Sequence, residues 1–187
     1  LTCALFSADA YVPLTVVDGR GAATWVGGAA LSAAALTWAT GAWLQSRWVH
    51  ASGPRLLDRV GFGLVFTGSA LMLTVALGSP VAVAVLAWSI AGFGMGLAYA
   101  PLSATVLAEA LPGEEGNASA SLQLSDMLGI ALGTGIGGRI VAAADHAGWS
   151  IAHGTALVFV FSMVVAAGGL LAAGRLPLRL PEDRVAA

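Results

Sequence analysis

Two carboxyl groups stand where carboxyl groups are expensive. Asp126 lies inside SLQLSDMLGIALGTGIGG, Ser121 to Gly138, and Asp9 inside the opening run LTCALFSADAYVPLTVV, both otherwise built of apolar, small or neutral residues. An ionised aspartate at the centre of a membrane helix costs about 2.5–3.5 kcal/mol on insertion scales, so such residues usually face a bundle interior or a wet cavity, often within proton relays. Removal from water favours the neutral acid, and a carboxyl that can be neutralised can load and release a proton. The plainer reading is that Asp126 and nearby Gln123 only hydrogen-bond a neighbouring helix as packing groups.

Other chemistry finds little support. His50, His146 and His153 lack metal-ligand spacing. Neither a Gly-x-Ser-x-Gly nor a His-Glu-x-x-His signature is present, so catalysis is not expected. Gly133-x-Gly135-x-x-Gly138 matches a dinucleotide fingerprint by letters, yet it follows no strand and lies within an apolar helix. Asn117-Ala118-Ser119 matches a glycosylation sequon and carries no weight in a loop expected on the cytoplasmic side. Cys3 is the single cysteine, which excludes an internal disulfide framework and a thiolate metal site. A net charge of −2 without a basic cluster gives no reason to expect nucleic acid as a partner. No cofactor is expected.

The elements that must position the acids follow from composition. The chain is 58% hydrophobic and 10% charged, with a mean hydropathy of +0.86, whereas soluble domains carry about 25% charged residues. The expected surroundings are a lipid bilayer. Spanning one takes about 20 largely apolar residues, and uncharged stretches of at least that length run over Gly21–Ser46, Val60–Ala108 and Ala147–Gly174. Gly78-Ser79-Pro80 divides the second into two crossings. With two less pure segments, the sequence predicts an all-α membrane protein, a six-helix transmembrane bundle over 1–176. Its helices are expected at about 1–17, 22–46, 58–78, 81–108, 117–143 and 152–174, followed by a cytoplasmic tail, 177–187. A start at Leu1 without a polar flank leads to the expectation of a piece of a longer chain. A cleaved signal peptide is the rival reading of the first segment, but a basic n-region is lacking.

With no lysine in the chain, arginines set the orientation. Arg47, Arg55, Arg59, Arg175, Arg179 and Arg184 fall on one side of six crossings and only Arg20 and Arg139 on the other, which places both termini in the cytoplasm. Trp25 and Trp149 suit one interface and Trp43 and Trp48 the other, while Trp38 and Trp88 lie deeper, against a neighbour or a cavity. Asp126 then lies about 13 Å into its helix, near the middle of a core about 30 Å thick, and Asp9 reaches a similar depth from the other side.

Ser119, Gln123, Asp126, Ile130, Gly133 and Gly137 share one helical face. Gly129, Gly133 and Gly137 repeat the small-xxx-small spacing that lets helices approach closely. In AGFGMGLAYAPLSATVL, the glycines and Pro101 predict a kink, and Tyr99 could place a hydroxyl in a site there. Broken or bent helices often line substrate sites in transporters.

The stretch GAWLQSRWVHASGPRLLDRVG, Gly41 to Gly61, carries a degenerate copy of the cytoplasmic loop motif Gly-x-x-x-Asp-Arg-x-Gly-Arg, with Gln45 in place of the aspartate and Arg47 one place late. Together with LPGEEGNASASLQLSDMLGIALGTGIGG, and with ADAYVPLTV followed by GGAALSAAALTWATGAWLQSR, it resembles the carboxy-terminal half, helices seven to twelve, of major facilitator superfamily transporters, in particular actinobacterial drug-efflux-like members. Asp9, Tyr11 and Pro13 occupy places of an acidic-Tyr-x-Pro-Leu pattern there. The resemblance spans nearly the whole chain. It implies a proton-coupled antiporter in the bacterial cytoplasmic (inner) membrane, expelling small hydrophobic or amphipathic molecules by alternating access, with a six-helix N-terminal half as its missing partner. It further implies Asp126 and Asp9 as proton-coupling residues, Tyr11, Gln123, Tyr99 and Trp38 as cavity lining, and Pro13, Pro101, Gly129, Gly133 and Gly137 as kink and packing positions. Arg47, Asp58 and Arg59 become gate residues, although a topology signal with a surface ion pair, usually worth under about 1 kcal/mol, explains them more simply. A non-transporting six-helix assembly or packing subunit is the alternative. A channel is disfavoured because no filter sequence is visible.

Overall fold

The computed structural model describes residues 1–111 and 113–176, the side chain of His50 excepted; the expected tail 177–187 lies outside the described residues. Among the described residues all regular structure is helical. The helices are α1 (Thr2–Asp9), α2 (Val12–Leu14), α3 (Thr24–Ser52), α4 (Pro54–Ala76), α5 (Val83–Ala108), α6 (Glu115–His146) and α7 (Ile151–Ala172), with a π-turn at Thr15–Gly19 and a 3₁₀ turn at Ala173–Arg175.

Four helices are long and apolar enough to cross a membrane: α4, α5, α6 and α7 with its 3₁₀ end. The other two expected spans fall outside this group for two physical reasons. At 29 residues α3 is long enough, about 43 Å at 1.5 Å per residue, but threonine, glycine and tryptophan dilute its apolar content. The first segment is interrupted. Pro13 has no N–H to offer the carbonyl of Asp9 four residues back, so α1 ends there and the chain turns through Ala10 and Tyr11 before α2. Thr15 closes this break, its hydroxyl donating to the Tyr11 carbonyl at 2.7 Å.

The expected loop between the second and third long helices is also revised. α3 continues to Ser52 and α4 starts at Pro54, joined by Gly53 at φ 74°, so Arg47 is helical and Asp58 and Arg59 lie in the first turns of α4. Gly53 supplies the left-handed conformation and Pro54 the preset first helical residue. Pro101 leaves α5 unbroken from Val83 to Ala108.

α5 packs between α3 and α4, α4 reaches α7, and α1 lies against α6 and α7. Close approach of α3 and α5 needs Gly92 and Gly96, where a methyl group would run into the backbone of Ala34 and Trp38. Trp88, Phe159, Met72 and Met95 fill the core. α6 is the least covered long helix; its buried residues are Gly133, Gly137 and Ala144.

Candidate functional site

Asp126 is where three helices meet. From α1, the Thr2 hydroxyl donates to Oδ1 at 3.2 Å, and from α5, the Tyr99 hydroxyl donates to Oδ2 at 2.7 Å. The Tyr99 ring stands edge-on to Trp38 of α3, with centroids 6.2 Å apart, and Trp38 in turn meets Phe6 of α1 at 6.2 Å. These side chains are all half-buried, except Thr2, which is buried. The cluster joins one carboxyl, two hydroxyls and three aromatic rings drawn from α1, α3, α5 and α6. A hydroxyl can donate or accept. Rotation of Thr2 or Tyr99 can therefore accommodate Asp126 as carboxylate or as acid.

Asp9 occupies a separate place. Its Oδ1 accepts the indole N–H of Trp88 at 2.6 Å, and Trp88 is fully buried and edge-on to Phe159. An indole only donates, so that oxygen is committed as an acceptor and any proton belongs on the other. Thr2 and Asp9 are seven residues apart along α1, about 10 Å along the axis. The two acids thus do not meet.

Between them run α1's contacts with α6 and α7. A methyl group on Gly129, Gly133 or Gly137 would run into Thr2, into Cys3 and Ser7, or into Ser7 and Tyr11 respectively. Tyr11 donates its hydroxyl to the Thr134 carbonyl at 2.7 Å and borders an open groove of about 380 Å³ that also touches Gly138, Asp145 and Trp149. On the opposite side of α1, Ser162 donates to the Ala4 carbonyl at 2.6 Å and lies 2.8 Å from Ser69, a fully buried polar link between α1, α7 and α4.

Other expected site residues fall elsewhere. Gln123 is exposed on α6 rather than turned into the Asp126 cluster. Pro13 packs on Gly27 of α3, and Pro101 is buried in α5. The proposed gate trio is not assembled. Arg47 stacks on Trp43 of its own helix, 4.1 Å from the ring centroid, Arg59 lies beside Gly174, and Asp58 is 0% exposed with no hydrogen-bond partner for either oxygen among the described residues. A surface ion pair is therefore the wrong description of Asp58.

Sequence reasoning did not pick out Thr2 or Ser162, and it read Trp88 only as packing or cavity wall. Nothing in one sequence announces that a threonine on one helix meets an aspartate 124 positions away. Burial of Asp58 did have a signal: Pro54, Leu57, Gly61, Phe62, Val65 and Gly68 form the buried stripe of α4, and position 58 falls on it at helical spacing. Among the described residues, no group of three or more His, Cys, Asp or Glu side chains could hold a metal ion.

No protein-family model matches the chain, and no curated protein or solved structure is detectably similar to it.

Proposed function

We propose that this chain forms part of a proton-coupled secondary transporter working by alternating access, with Asp126 as the proton-coupling residue. The single observation that carries the reading is the Asp126 cluster, in which a carboxyl inside an apolar helix shares its oxygens with hydroxyls from two other helices. Binding or losing a proton there changes how α1, α5 and α6 are held together, which is what coupling requires. Asp9, bonded to Trp88 near the break before Pro13, is the second coupling candidate. On this reading the protein is a half of the major facilitator type, both termini are cytoplasmic, the membrane is the bacterial inner membrane, and the cargo is small and hydrophobic or amphipathic. The three rings beside Asp126 suit such a cargo.

One observation favours a second reading. α6 is little buried, and Asp126 bonds to both neighbours, so the acid can serve as the fastening of a non-transporting helical assembly. The test is Asp126→Asn in proteoliposomes of the full-length protein under an imposed pH gradient. Asparagine keeps an acceptor oxygen but cannot carry the proton. Loss of gradient-driven flux with an intact fold supports coupling; unchanged flux rejects it, and loss of the fold together with flux supports the fastening.

A further inference from the structure

Asp58 is the buried carboxyl that this mechanism leaves unused. It stands in the second turn of α4, fully shielded from solvent, with neither oxygen partnered among the described residues. Buried charges without partners are strongly disfavoured, and the ordinary escape is to take up a proton.

Among the described residues, the charged and titratable groups nearby are otherwise engaged or exposed. On α4 itself, Arg55 donates its Nε to the Leu176 carbonyl at 2.6 Å, and exposed Arg59 lies against Gly174. On the α7 side, Arg175 is exposed at the end of the 3₁₀ turn. On α5, the Tyr99 hydroxyl is committed to Asp126, and Glu109 is exposed beyond the last turn. On the α1 side, the backbone amino group of Leu1 is within Coulombic reach of both Asp58 and Asp126, yet forms no hydrogen bond to Asp58.

We infer that Asp58 is a proton-binding site distinct from Asp126, occupied while α4 is packed against α1, α5 and α7 and emptied when water enters between them. The ligand is a proton, and its release is tied to the opening of this end of the bundle. For one site the opening equilibrium gains at most about tenfold per pH unit. Water restores the hydration that the ionised form lacks in the closed bundle, so higher pH on the adjoining side favours opening.

Infrared difference spectroscopy on the full-length protein in lipid nanodiscs tests this without substrate or transport, in an Asp9→Asn, Asp126→Asn background that removes the other two acids discussed here. At neutral pH a protonated-acid carbonyl stretch is expected and should vanish on adding Asp58→Asn. Asp58→Leu, which brings no polar group, should remove the same band if the asparagine variant fails to fold. As a second measurement, the unfolding constant of the parent should rise with pH above the ordinary aspartate range, by up to about tenfold per unit, and be flatter in Asp58→Leu. A band untouched by both variants, or a carboxylate stretch lost in its place, shows Asp58 ionised and paired, and overturns the inference. Because no flux is read, this result can fail while Asp126 remains the coupling residue, and the reverse.

Discussion

At the scale of single residues, the Tyr99–Asp126 bond is the contact whose removal is most informative. Tyr99→Phe keeps the ring and its edge-on contact with Trp38 but deletes a 2.7 Å donor to the carboxyl. Hydrogen bonds to charged groups are worth about 1.5–3 kcal/mol, which is the expected loss if Asp126 is ionised, and nearer about 1 kcal/mol if it is the acid. A double-mutant cycle with Asp126→Ala, which leaves no acceptor for the hydroxyl, should show coupling within about 0.5–3 kcal/mol; strict additivity would mean that the bond does not form. The Ser69–Ser162–Ala4 link behaves differently because nothing there is charged. Ser162→Ala strips the Ala4 carbonyl of one donor and Ser69 of its neighbour inside the core, an expected cost of about 1–3 kcal/mol. Ser69→Ala added to it should cost less than the sum, since the second hydroxyl has already lost its partner. Equilibrium unfolding of the three variants in detergent checks this.

At the scale of helices, α6 contains its own control for the α1 contact. Gly133 faces Cys3 and Ser7, whereas at Gly135, two residues on, an added methyl group meets nothing within 4 Å. Gly133→Leu should therefore push α6 off α1 and destabilise the bundle by about 1–3 kcal/mol or more, as overpacking does, while Gly135→Leu should leave unfolding nearly unchanged. Equal losses would mean that α6 is not seated on α1 as described. The four-residue spacing of Gly129, Gly133 and Gly137 was legible because helical period and small side chains speak directly to close approach. The limits of α3 and α4 were less so. Arg47, Trp48 and His50 read as a polar loop, yet a helix can carry polar residues past its apolar stretch, and the chain reverses at Gly53 alone. The break after Asp9 was hidden for the opposite reason: LTCALFSADAYVPLTVV keeps its apolar character across an interruption that only Pro13 marks. Long-range bonds such as Thr2 to Asp126 depend on how helices pair, which hydropathy and period do not encode.

At the scale of the molecule, the two ends are fastened alike and the flanking charge differs. Arg20 donates to the Gly78 carbonyl at one end, and Arg55 donates to the Leu176 carbonyl at the other. Trp25 and Trp149 are exposed toward the first end, Trp43 and Trp48 toward the second, where interfacial tryptophans belong. On the proposed orientation the Arg55 end, where Arg47, Arg55, Arg59 and Arg175 gather among the described residues, faces the cytoplasm. Single-cysteine labelling checks that assignment in a Cys3→Ser background, with Ser52→Cys at the α3–α4 reversal and Asp145→Cys near the end of α6, both at exposed positions. A membrane-impermeant maleimide added to intact cells should label the cysteine at 145 and reach the one at 52 only after permeabilisation. The reverse pattern would invert the bundle. Its consequence extends beyond topology, because Asp126 and Asp58 lie toward the Arg55 end of the fold and Asp9 lies about 10 Å farther along α1. Orientation thus decides which carboxyls the cytoplasm addresses first, and in which direction a proton released on opening of the Arg55 end would leave.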